Sequence, residues 1–135
     1  VPVIVVTRLR LKDPALLDEF LVDAVAVLEQ AQKSNGNLGA NALGDANNAW
    51  WSVTSWQTRE EMRAFVASEP HRTIMTRLDH YCAEATFVAW EQPHADLPDW
   101  QTSYQRLVAD GQVAELTSPS PANQTRAFPA PVETS

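Results

Sequence analysis

Two tryptophans stand side by side in the segment "WWSVTSW", residues 50–56. Its aromatic and β-branched content reads as a strand. Successive side chains of a strand point to opposite faces of the sheet. Trp50, Ser52, Thr54 and Trp56 therefore share one face, and Trp51, Val53 and Ser55 the other. A sheet with an indole ring on each side needs cover on both sides, and this limits the chain to folds that bury both faces.

The segments around it supply one cover. "VIVVTRLRL", Val3 to Leu11, reads as a first strand. Val3, Val5, Thr7, Leu9 and Leu11 lie on one nearly apolar face. Ile4, Val6, Arg8 and Arg10 lie on a face that turns polar along its length. That second face is expected to meet water or a partner subunit, with Arg8 and Arg10 as solvated surface rather than an anion site. In the segment that follows, Asp13 can cap a helix and Pro14 fits its first turn. Leu17, Phe20, Leu21, Ala24, Leu28 and Ala31 then recur at helical spacing, and Asn35-Gly36 supplies the stop. A strand near Leu38 to Leu43 and the turn "GDANN" lead into the tryptophan strand.

"TREEMRAFVASEPHRTIMTRLDHY" is helical with an interruption. Thr58 and Glu61 have the spacing of a capping box. Pro70 cannot continue the first segment and opens a second, with Ser68 or Glu69 as its cap. On that second segment His71, Ile74, Met75 and Leu78 share a face, so His71 is expected to point inward. "CAEATFVAWEQ", Cys82 to Gln92, is a fourth strand.

Beyond it, "LPDWQTSYQRLVADGQ" holds one short helix with Asp99 as cap and Gly111 as stop. "TSPSPANQTRAFPAPVETS" is rich in Pro, Ser and Thr and lacks periodicity, so it reads as an arm rather than a core element.

The order β-α-β-β-α-β predicts an α+β, ferredoxin-like antiparallel sheet with two helices on one face. The division is a domain over residues 1–95 and a C-terminal helix and extended arm over 96–135. The second sheet face is expected to be covered by another copy packing sheet to sheet, giving a homodimer. Trp100, Tyr104, Leu107 and Phe128 are too apolar for a free tail, so the arm is expected to dock, across the partner.

Composition narrows the function. The chain carries 17 acidic and 10 basic residues, a net charge of -7, with no lysine or arginine run. This disfavours nucleic acid and anionic membrane surfaces as partners. No apolar run approaches the roughly 18 residues of a membrane span, and the opening alternates like a strand rather than a signal peptide. With Cys82 as its one cysteine, the chain has no internal disulfide, and a cytoplasmic setting is the expectation. His80 and His94 lack partners at metal spacing. No Gly-rich phosphate loop or Gly-x-Ser-x-Gly elbow is present.

The strand bearing "TRLRL", the join "SVTSWQTREEMRAFV" and the helix "SEPHRTIM" resemble the antibiotic biosynthesis monooxygenase-like proteins of the dimeric α+β barrel superfamily. The resemblance covers roughly Val3 to Gln92. It implies a ligand pocket between sheet and helices, faced by the second helix. It implies His71 as a general base on a phenol or enol or, alternatively, as an axial haem ligand. The bland alternative is a histidine that only belongs to a helix start.

Trp56 matches the pocket tryptophan of the cofactor-independent quinone-forming members. Ser52 stands where those carry an Asn, and Thr76, with Arg77 beside it, stands near their Arg. Against the haem-degrading members, Thr7 replaces an Asn and Phe65 a Trp. The reading implied is a cofactor-free monooxygenase on an aromatic or polyketide-like substrate. His71 would be the base, Trp56, Phe65 and Met75 the slot, and Thr7, Ser52 and Arg77 the groups that orient oxygens. The alternatives are a haem protein with His71 on iron and a non-enzymatic dimeric binding module.

Overall fold

The computed structural model describes residues 1–131. The last four residues of the expected arm lie outside the described ones. Strand β1 (Val3–Leu11) leads through a short 3-10 turn (Pro14–Leu16), capped by Asp13, into helix α1 (Leu17–Lys33). Gly36, with φ of +82°, reverses the chain in a backbone region that side chains disfavour. Strands β2 (Asn37–Gly44) and β3 (Ala49–Trp56) form a hairpin. Helix α2 (Arg59–Ala67) starts at Thr58, whose side chain accepts from the Glu61 N–H as the capping-box spacing predicts. The helical region then breaks twice, giving α3 (His71–Met75) and α4 (Leu78–Tyr81) before β4 (Cys82–Glu91). Helix α5 (Trp100–Asp110), capped by Asp99, a two-residue strand β5 (Gln112–Val113) and helix α6 (Pro121–Thr125) complete the chain.

The sheet is antiparallel with order β2-β3-β1-β4-β5. Register places Thr7 opposite both Ser52 and Phe87, and Arg8 opposite both Trp51 and Thr86. The two-fold alternation read from β1 and β3 therefore holds. Val5, Thr7, Leu9, Trp50, Ser52 and Trp56 face α1–α4, while Ile4, Val6, Arg8, Trp51 and Val53 face the other way.

That second face departs from expectation. Within the chain it is covered by the arm. Leu107 from α5 and Phe128 beyond α6 join Ile4, Val6, Trp51, Val53, Val88 and Trp90 in one buried cluster. The unpatterned tail thus contributes core residues, and β5 adds a fifth strand beside β4.

Arg8 is not solvated surface either. It is 1% exposed and donates to Glu84, itself buried, at 2.6 Å. Arg10 and Ser120 donate to the other Glu84 oxygen, both at 2.9 Å. The Arg8 guanidinium lies 4.4 Å from the Phe128 ring centre, a cation–π contact that stands in for missing partners on Nε and one terminal nitrogen. Cys82 is buried and its thiol is pushed up to about 12 by burial, so it stays protonated.

Breaking a buried ion pair from one side strands the other charge, at a cost of about 3–5 kcal/mol. Glu84→Gln is expected to lose stability on that scale in urea denaturation, and the double variant Arg8→Met/Glu84→Leu much less. Equal losses would remove the pair's importance. Burial works to raise the Glu84 pKa, but the hydrogen bond and charge of Arg8, with Ser120 and Arg10, outweigh it and hold it low. The pair's contribution is therefore complete above the ordinary carboxylate range and fades as pH falls through the lowered value.

Candidate functional site

The helices do not fill the space over the sheet. Between them lies a cavity of about 280 Å³. Enclosed small-ligand sites run from about 300 to 1,000 Å³. Its floor is β1, β3 and the Phe87 ring of β4, and its roof is α1 to α4. Six of the seven residues expected at a site lie on its wall: Thr7, Ser52, Trp56, Phe65, His71 and Met75. Met62 of α2 also reaches it.

His71 opens α3 and tilts against Phe65, with ring centres 4.8 Å apart. Phe65 in turn stacks on Trp56 at 4.9 Å, and the Trp56 indole N–H donates to Thr54 Oγ1 at 2.9 Å. His71 Nδ1 lies 3.0 Å from the Val66 carbonyl oxygen. A carbonyl only accepts, so Nδ1 carries the hydrogen and Nε2 keeps its lone pair. Among the described residues Nε2 has no protein partner. Burial lowers the His71 pKa, opposed by the Val66 hydrogen bond, so the ring is neutral near pH 7. Of the two expected caps, Glu69 accepts directly from a first-turn N–H, and Gln30 of α1 joins it. Gln30 Oε1 accepts from the His71 backbone N–H at 2.8 Å, and Glu69 Oε1 from the Thr73 N–H at 2.8 Å. Gln30 also donates to the Phe65 and Ser68 carbonyls, both at 3.2 Å, and so ties α1 to the α2–α3 break.

Thr7 and Ser52 face each other across the β1–β3 register on the cavity floor. Among the described residues neither hydroxyl has a protein hydrogen-bond partner. Both are available to a ligand.

Arg77 does not join them. Its guanidinium grips both carboxylate oxygens of Asp23, at 3.1 and 2.9 Å, and it is absent from the cavity wall. That hydrogen bond and charge raise its pKa further. Asp23 and Tyr81 take its place on the wall, with the Tyr81 hydroxyl donating to Asp23 at 2.6 Å. Burial first, and the Asp23 bond next, push the Tyr81 phenol up to about 12. It therefore remains a donor. Asp23 was findable from sequence: it interrupts the apolar stripe of α1 between Phe20 and Ala24. Tyr81 carried no comparable signal.

His80 meets Glu19, and His94 lies beside Asp96 at the surface. Among the described residues no group of His, Cys, Asp and Glu could hold a metal ion. None of their helices is long and apolar enough to cross a membrane.

The fold has solved counterparts. SnoaB from Streptomyces nogalater, a cofactor-independent oxygenase, is 15% identical with a TM-score of 0.59, over 73% of this chain and 98% of its own. A protein from Mycobacterium tuberculosis is 10% identical with a TM-score of 0.64, over 70% and 97%. A conserved protein from Methanosarcina mazei Go1 is 14% identical with a TM-score of 0.61, over 67% and 92%. At these identities the likeness shows the fold. No curated protein matches the sequence. The antibiotic biosynthesis monooxygenase family model matches residues 2–77, which span both sides of the cavity and His71, and the chain belongs to that family.

Proposed function

We propose that the protein is a cofactor-independent monooxygenase acting on an electron-rich aromatic or polyketide-like molecule. The observation that carries this reading is the free Nε2 of a neutral, half-buried histidine in an aromatic-walled cavity. A phenol with an activated ring methylene suits the site. Nε2 takes a methylene proton, and the resulting carbanion transfers an electron to O₂. The radical and superoxide combine into a peroxide anion, which takes back the proton held on Nε2 and becomes a hydroperoxide. Loss of the second C–H proton and cleavage of the O–O bond leave a ketone and release water. One oxygen atom enters the substrate, and the methylene-to-carbonyl oxidation supplies all four electrons for O₂.

Trp56 and Phe65 give flat surfaces for stacking, while Thr7 and Ser52 offer hydrogen bonds to substrate oxygens. The Asp23–Tyr81 pair, anchored by Arg77, gives the wall a second polar point suited to a hydroxyl donor on the ligand.

The haem alternative fits less well. A free Nε2 could meet iron, but haem brings two carboxylates and the charged residue on the wall is Asp23, also an anion. A pocket that closed around side chains would have favoured the binding-module alternative. Here it stays open.

Oxygen uptake with anthrone-type phenols tests the proposal. His71→Ala is expected to lower turnover about 10²–10⁴-fold, the usual contribution of a positioned base, and to leave tryptophan quenching by the same phenols in place. Unchanged turnover, or a Soret band on haem addition that His71→Ala abolishes, would sink it. Joint Thr7→Val/Ser52→Ala substitution should raise KM more than it lowers kcat.

The pH dependence has a definite sign. With its pKa lowered from about 6.5, His71 stays an unprotonated base below that value. The acid limb of kcat should fall below pH 6.5, and a limb above it would point to another base. Stability follows the same direction: the neutral ring's share is complete above pH 6.5 and is lost as pH falls through the folded value. His71→Ala should flatten that part of the stability profile.

A further inference from the structure

We infer that the C-terminal arm takes the place of a second subunit, so that the chain is complete as a monomer and its far sheet face is closed to sheet-to-sheet pairing. A ferredoxin-like sheet with helices on one side leaves the other side bare. In this chain Ile4, Val6 and Trp51 on that side are wholly buried, and the arm buries them. Trp51 makes edge contacts with Trp100 and Phe128, at 6.5 and 6.3 Å between ring centres, and Arg106 lies 4.7 Å over the Trp90 ring.

The docking is specific as well as apolar. Asn123 is fully buried; its side-chain oxygen accepts from the Ala85 N–H at 2.8 Å, and its amide donates to the Ala114 carbonyl at 3.2 Å. Ser120 reaches Glu84, while the Thr117 N–H and hydroxyl both donate to Asp79 at 2.7 Å. These side chains match particular groups of the sheet and α4, which a loosely draped tail would not do.

The connection aims the arm at its own sheet. Gln92 follows β4 and accepts from the Trp90 indole at 3.0 Å. Its amide donates back to the His94 and Asp96 carbonyls at 3.0 and 2.9 Å. Leu97 then packs over Gly39 of β2. The chain is folded back at the point where an exchanged arm would have to extend. The solved structures named above cover 67–73% of this chain but 92–98% of their own length. The uncovered remainder is about as large as the share held by residues 96–135.

This reverses the expectation of a sheet-to-sheet homodimer and of an arm crossing to a partner. Light scattering coupled to size exclusion tests it on the full chain. A single species of 15.0 kDa from micromolar to near-millimolar concentration is expected. A species of twice that mass overturns the inference, whether built from paired faces or exchanged arms. Phe128→Ser, which takes the ring off Arg8 and Trp51, should shift the chain toward twice the mass at high concentration. A Phe128→Ser chain with native near-ultraviolet circular dichroism that stays at 15.0 kDa at every concentration also overturns it. If that variant does not fold, the wild-type mass decides alone.

Discussion

The Arg8–Glu84 ion pair ties the sheet to the arm. It joins neighbouring central strands, β1 and β4, and both members are almost fully buried. Two charges leave water only where the geometry is close and the remaining polar atoms find partners. Here the strands supply the short contact, and the arm supplies Ser120 and the Phe128 ring. Neither part desolvates the pair alone. Sheet and arm thus share the cost of desolvating one ion pair, and opening the arm alone would leave that pair without two of its partners.

Strand β1 is the wall between this structural centre and the cavity. Thr7 faces the cavity and Arg8, the next residue, faces the arm. On the arm side Glu84 accepts from three side chains and Asn123 uses both ends of its amide, while Arg8 Nε, Ser55 Oγ and Thr86 Oγ1 have no partner among the described residues. On the cavity side Thr7, Ser52 and His71 Nε2 are unpaired among the described residues. Unpaired polar atoms facing an apolar space are costly to keep unless something else satisfies them.

What the sequence made legible follows from period. Alternation at two assigned both faces of β1 and β3, and spacing near 3.6 found α1, α2 and the inward face of α3. The family resemblance then grouped Thr7, Ser52, Trp56, Phe65, His71 and Met75 at one site, and the cavity wall holds all six. What escaped depends on contacts between distant residues. Arg8 looks like Arg10 in sequence, and its burial depends on Glu84, 76 positions away, and on a phenylalanine in the arm. Arg77 looked free until α1 delivered Asp23, 54 positions earlier. The tail has no pattern because Asn123, Ser120 and Phe128 hold it one by one rather than as a periodic face.

The break at Pro70 explains the histidine beside it. In a continuous helix the Val66 carbonyl would accept from the N–H four residues on, and that residue is Pro70, which has none. The carbonyl is left with an unfilled lone pair at the edge of the cavity, and His71 Nδ1 fills it. The proline therefore does more than end α2. It leaves an acceptor that fixes one tautomer of the next residue, while Gln30 holds the backbone at the same break. Fixing the hydrogen on Nδ1 directs the basic lone pair of Nε2 away from the backbone. A helix running unbroken through this region would use up the Val66 carbonyl and leave the ring without a set tautomer. The proline–histidine order is thus a local device for making one nitrogen of a half-buried imidazole structural while the other keeps its lone pair toward the cavity.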